Sequence, residues 1–210
     1  MLKKESEILY CFAVRPWESF TFTELKKASK KKSRSYLEGV LKKFVKEGIL
    51  KKDSVGRLPI YSLNIASAKA RVYAGFVLEH SGWNRKNIPY VDLQKIIDKI
   101  PYENYIFIIT GSYSKGTETK KSDIDIIIIV EDSSEPKKVY AELAHACELN
   151  IPKIHLYVFR NSEFIKMLSN KEANYGKEIV KNFLVLSGGQ VFMKLIKEAV
   201  ENGFNGKYLS

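Results

Sequence analysis

Two β-branched runs separated by a short polar insert, YIFIITGSYSKGTETKKSDIDIIIIV over residues 105–130, constrain the fold of this chain more than any other stretch. Residues 106–110 and 124–130 are apolar and the insert carries glycine, which is how two strands joined by a functional loop read. Asp123 and Asp125 stand two apart at the mouth of the second strand. Alternate strand residues share a face, so their carboxylates converge while Ile124 and Ile126 turn toward the core. Two unneutralised carboxylates about 5–7 Å apart repel each other, an arrangement retained where a cation bridges them. Oxygen-only ligation suits Mg²⁺. Gly111 and Ser112 end the first strand and open a short helix through Tyr113, Ser114 and Lys115, where free backbone N–H groups face an anion. An anion cradle beside a divalent-cation site is what a nucleoside triphosphate requires.

Gly111-Ser112, ten residues, then Asp123-Ile124-Asp125-Ile126 resembles the signature of the DNA polymerase beta-like nucleotidyltransferase superfamily. GSYSKG is most similar to the GSxARG of its minimal nucleotidyltransferases, with Lys115 in the arginine position. The resemblance covers residues 90–160 well and the tail loosely.

Charge divides the chain. Residues 1–64 hold 15 Lys and Arg against 7 Asp and Glu, net +8, whereas residues 65–210 hold 20 against 17, net +3. A basic small domain points to a polyanion, nucleic acid before membrane, because no amphipathic segment carries the exposed aromatic face that interfacial binding needs. No apolar stretch approaches the length of a membrane span and Met1-Leu2-Lys3-Lys4 runs straight into a charged amphipathic segment. Cys11 and Cys147 lie far apart without metal-ligand spacing, so free buried thiols and a cytoplasmic location are expected.

Helical spacing of Ile8, Leu9, Phe12 and Ala13 predicts a helix over 5–14, stopped by Pro16. Thr21 is a threonine N-cap for a helix ending near Ala28, and residues 35–46 place Leu37, Val40, Leu41 and Phe44 on one face before Gly48. Residues 49–52 and 60–63 read as a hairpin with a basic, glycine-containing tip over 53–57. Three short helices followed by a hairpin resemble a winged helix-turn-helix, and LKKFVKEGILKKDSVGRLPIYSLN is similar to that family's third helix and wing. The resemblance implies double-stranded DNA as partner, with Ser33, Arg34, Ser35 and Tyr36 near base edges and Lys30, Lys31, Lys32, Lys42, Lys43 and Arg57 on phosphates. The plainer alternative leaves the lysines as a solvated face, or the domain as a protein-contact module.

An alanine-rich helix over 66–81 links this first domain, 1–64, to a nucleotidyltransferase-like domain at 89–210, the linker spanning 65–88. Tyr73, Phe76 and Trp83 there face either domain or a second subunit. Further helices are predicted at 91–100, 136–149, 162–168, 172–182 and 191–202, with a third strand at 154–159 and either strand or buried turn at 183–186. The expected fold class is therefore α/β (α+β), a winged helix-turn-helix followed by a small mixed sheet with flanking helices.

In the superfamily a hydroxyl attacks the α-phosphate of an NTP and pyrophosphate leaves, with metal ions stabilising both oxygens. The resemblance implies Asp123 and Asp125 as metal ligands, Mg²⁺ or Mn²⁺ as cofactor, and Gly111, Ser112, Ser114 and Lys115 as nucleotide-binding residues. Lysine supplies a point charge without the bidentate fork of arginine. Active members add a carboxylate on the third strand, and residues 154–159 have none. His155 and Tyr157 share that face, and His155 matches the expected place best. An imidazole accepts Mn²⁺ and serves as a general base near neutral pH, or it is a partly buried histidine without a catalytic role. Glu118 and Glu163 are the acids able to fold back. The expected activity is nucleotidyl transfer to a macromolecular hydroxyl, a protein side chain or an RNA end. The alternative is a regulator whose degenerate transferase domain binds nucleotide or a partner without turnover. A helical protein partner or a homodimer completes the expectations.

Overall fold

Isoleucine-rich runs bury best between two covered faces, and residues 105–110 and 124–130 become the two central strands of a four-stranded sheet. A computed structural model describes residues 3–31, 33–207 and 209 of the chain. Along it run α1 (Lys3–Ala13), β1 (Ser19–Thr21), α2 (Phe22–Ala28), α3 (Arg34–Lys46), β2 (Leu50–Val55), β3 (Leu58–Leu63) and α4 (Ala68–Gly82). There follow α5 (Tyr90–Ile97), β4 (Tyr105–Thr110), α6 (Gly111–Lys115), β5 (Ile124–Val130), α7 (Pro136–Leu149) and β6 (Ile154–Arg160). The remainder is α8 (Asn161–Ser169), α9 (Tyr175–Lys181), β7 (Leu184–Ser187) and α10 (Gly189–Glu201). The short apolar run at 183–186 is thus a strand, and β1 is a strand that periodicity over so few residues does not announce.

The central sheet has the order β6-β5-β4-β7. β5 runs antiparallel to β4 and parallel to β6, so the sheet is mixed. Strand alternation divides its apolar side chains between two cores. Phe107, Ile109, Ile126 and Ile128 meet α5 and α7 through Leu93, Val139 and Leu143. Ile106, Ile108, Ile127 and Ile129 meet the opposite layer through Phe164, Ile179, Phe192 and Ile196.

The second of those cores continues without a break into the first 64 residues, where Ile8, Leu9, Phe12, Leu37, Leu41 and Phe44 are all buried. Local signals shape this part. Thr21 caps α2 in a capping box with Glu24, and Ser33 accepts from Tyr36 N to cap α3. β2 and β3 pair from Leu50↔Leu63 to Val55↔Leu58, leaving Gly56 and Arg57 as the turn, and β1 adds to β3. The paired strands therefore extend through residues 53–55, farther than sequence predicts, because the register places Asp53 opposite Ile60.

Helix α4 lies against α1 on one side and α10 and β7 on the other. Gly75 and Gly82, two turns apart, permit this. A Cβ on Gly75 would stand 2.5 Å from Gln190 N, and one on Gly82 would stand 2.3 Å from Val185 O. The side chain of Glu79 between them accepts from Gly189 N at 2.6 Å, and Trp83 donates to Leu186 O at 2.7 Å while stacking on Tyr90. Past α10, Phe204 packs edge-on against Trp17, so the tail returns to the N-terminal region. No helix among the described residues is long and apolar enough to cross a membrane.

Candidate active site and basic face

Where β4 ends, the chain must turn without obstructing its neighbour. Thr110 pairs with Asp125 across the β4–β5 ladder, and the next residue, Gly111, adopts φ +69°. A Cβ at Gly111 would stand 2.1 Å from Asp125 Oδ2, so the turn and the carboxylate fit together only through glycine. Gly111 opens α6, which places Gly111 and Ser112 beside Asp125 as the alternation of the strands and the turn require.

Parallel register sets Asp125 beside His155 on β6. His155 lies between the two acids, its Nε2 3.3 Å from Asp123 Oδ2 and its Nδ1 3.5 Å from Asp125 Oδ1. All three side chains are partly open to solvent. Among the described residues no three His, Cys, Asp or Glu side chains form a group able to hold a metal. Of the donors present, the two carboxylates are the oxygen ligands a hard divalent cation takes, whereas the imidazole between them is not. The acids proposed to fold back lie elsewhere. Glu163 accepts from Arg160 N at 2.8 Å at the far end of β6, and Glu118 accepts from Asn87 at 3.0 Å.

The remaining nucleotide-binding candidates separate. Lys115 is exposed at the end of α6, beside Gly116 in the left-handed region. Ser114 is buried, its hydroxyl within donating distance of Gly111 O at 2.9 Å and Asn182 O at 3.0 Å. Thr110 donates to the same Asn182 carbonyl at 2.9 Å. Ser114 thereby ties α6 to the end of α9, away from the acids.

Three residues around the site carry no sequence signal of their own. Arg85 Nη2 donates to Ser114 O at 2.6 Å, and Asn87 donates to Tyr113 O at 2.9 Å, so the loop after α4 satisfies the last carbonyls of α6. Tyr175, first residue of α9, packs on Tyr157 with ring centroids 4.8 Å apart. Burial first, then the Tyr157 phenol and the Asp125 carboxylate, hold the Tyr175 phenol protonated far above its usual range. Burial, with smaller contributions from Glu118 and Asp123, also raises Tyr113. Nothing local to residues 85, 87 or 175 predicts these contacts, which bridge 26 or more positions to the phosphate-side helix or join α9 to β6.

On the N-terminal region, Lys32 lies outside the described residues. Lys31 pairs with Glu7, and Lys43 with Glu5 at 3.0 and 3.1 Å, so both lysines fasten α1. The hydrogen bond to Glu5 is the main cause of the raised Lys43 pKa. Arg34 pairs with Glu38 at 2.8 Å and lies over the Phe22 ring, and Tyr36 packs against the core. Ser33, Ser35, Lys42 and Arg57 are exposed. Lys46 and Lys52, not singled out by sequence, join Arg34 and Lys42 along a groove between α3 and the hairpin.

Residues 92–181 match the family model of the nucleotidyltransferase domain, which supports nucleotidyl transfer as the general chemistry of this part of the chain. No curated protein matches the chain. A solved structure described as the crystal structure of the toxin-antitoxin with AMP-PNP is similar at 19% identity and a TM-score of 0.36, over 55% of this chain and 84% of that one.

Proposed function

We propose that this protein transfers a nucleoside monophosphate from an NTP to a macromolecular hydroxyl, and that its first 64 residues form a winged helix that binds duplex DNA. The observation that carries the transferase reading is the convergence of Asp123, Asp125 and His155 against a glycine that opens a helix. Asp123 and Asp125 would hold the divalent cation, Mg²⁺ or Mn²⁺, which supplies charge neutralisation at the α-phosphate when bound. The N–H groups around Gly111 and Ser112 receive the β- and γ-phosphates, with Lys115 as a nearby positive charge. His155 stands where a proton from an incoming hydroxyl is accepted. Arg85 and Asn87 keep α6 in place from behind.

The DNA-binding reading draws support from the order of three helices and a hairpin, and from the exposed Lys42, Lys46, Lys52 and Arg57 around α3 and the turn. A second reading, a regulator that binds nucleotide without turnover, is favoured by one observation: among the described residues no third carboxylate joins the pair.

Calorimetric titration of NTPs with Mg²⁺ and then Mn²⁺ tests the site. The expected result is metal-dependent binding that weakens at least ~100-fold in Asp123→Ala/Asp125→Ala. Absence of binding with either metal sinks the transferase reading. Binding without incorporation of label into any protein or RNA acceptor favours the regulator.

A further inference from the structure

We propose that the Tyr157 hydroxyl is an acceptor for the chain's own chemistry, so that the protein nucleotidylates itself on this tyrosine in cis. The inference rests on the transferase reading of the same site.

Direction of attack limits where an acceptor stands. Displacement at an α-phosphate runs with nucleophile and leaving group roughly in line. With the β- and γ-phosphates at the start of α6, pyrophosphate departs on the β4 side of Asp125. The nucleophile then arrives from the opposite side, which belongs to β6. Strand β6 is the edge of the sheet, with β5 as its one neighbour there. Its register sets His155 beside Asp125 and Tyr157 beside Ile127, on the same face as the acids.

Tyr157 is 39% exposed, and one side of its ring is fixed by Tyr175 at a centroid distance of 4.8 Å. The Tyr175 phenol lies within hydrogen-bonding reach of the Tyr157 phenol and within electrostatic reach of Asp125. Tyr157 therefore lies on the face that carries the acids, two residues along β6 from His155, partly accessible and on the side from which attack must come. Three other hydroxyls of this end of the sheet are engaged or covered. Thr110 and Ser114 donate to Asn182 O on the β4 side, and Tyr113, within α6, is buried.

In the reaction the phenolic oxygen bonds to the α-phosphorus as the bond from that phosphorus to the β-bridging oxygen breaks. The electron pair leaves with pyrophosphate and the phenolic proton passes by way of His155 to water. The product is a phosphodiester joining Tyr157 to one nucleoside.

The full chain is incubated with each α-labelled NTP and Mg²⁺ or Mn²⁺, then analysed by intact mass and peptide fragmentation. The expected result is an adduct of one nucleoside monophosphate per chain, located on Tyr157. Its rate per molecule stays constant over about tenfold dilution of the protein, and it is lost in Tyr157→Phe, which keeps the ring against Tyr175. Metal-dependent NTP binding with no adduct overturns self-modification and leaves the transferase reading standing. An adduct on another residue, persistence of labelling in Tyr157→Phe, or a rate that rises with protein concentration also overturns it. Failure of the unaltered protein to bind any NTP removes both readings together.

Discussion

The N-terminal basic region and the mouth of the central sheet use charge in opposite ways. In the first, Lys31 and Lys43 reach back to Glu7 and Glu5 and fasten α1, and Arg34 closes on Glu38 within α3, so part of the positive charge holds the scaffold. At the second, two carboxylates and an imidazole converge at an open strand edge, although no local pairing rule asks for that. The difference separates scaffold from candidate site. Ion pairs that are already made stabilise an arrangement, whereas like charges brought together leave an interaction for a ligand to complete.

Gly111→Ala is the sharpest way to break the comparison on the acidic side. The added methyl meets Asp125 Oδ2 at 2.1 Å in a backbone region that alanine disfavours. Stability is expected to fall by about 1–3 kcal/mol, with NTP affinity reduced at least ~10-fold. Denaturant titration and calorimetry read the two losses. Retention of both would show that the fit of Gly111 to Asp125 does not govern the site.

On the basic side, Lys42→Ala or Arg57→Ala should weaken duplex DNA binding and lower the slope of log K against log salt by about 1 for each phosphate contact removed. Lys43→Ala should leave that slope unchanged and lower the melting midpoint, because Glu5, nearly buried, loses its partner. If all three variants change the salt slope equally, the division between fastening and binding lysines fails.

The smallest effect concerns Cys147. Burial against α5 and β6 raises its thiol from 9.0 to about 11. Since the folded value exceeds the unfolded one, the contribution to stability is complete below about pH 9 and is lost as pH rises through about 11. Near pH 8 the native thiol should therefore react with a disulfide reagent much more slowly than the denatured chain. Equal rates would mean that the α7 side of the sheet opens readily, unlike the acidic face.

Much of the fold is legible in local sequence. The apolar run at 124–130 is a strand, Thr21 and Ser33 cap helices, and Pro136 opens one, each by an interaction within a few residues. Alternation also places Asp123, Asp125 and His155 on one face. The three-residue strand β1 is too short to carry a period, and the apolar run at 183–186 fits strand and turn alike in sequence, its pairing with β4 making it a strand.

Within the site, sequence determined the facing of the acids, because it follows from strand alternation, whereas the fit of Gly111 against Asp125 Oδ2 is decided by the pairing of β4 with β5. Tertiary structure alone decided that His155 lies between the two acids, that Ser114 turns to Asn182, that Arg85 and Asn87 brace α6, and that Tyr175 meets Tyr157. The physical reason is range. Periodicity and capping act over a turn or two, whereas these contacts depend on the order β6-β5-β4-β7 and on the close approach of α4 to α10, which no short stretch of chain encodes.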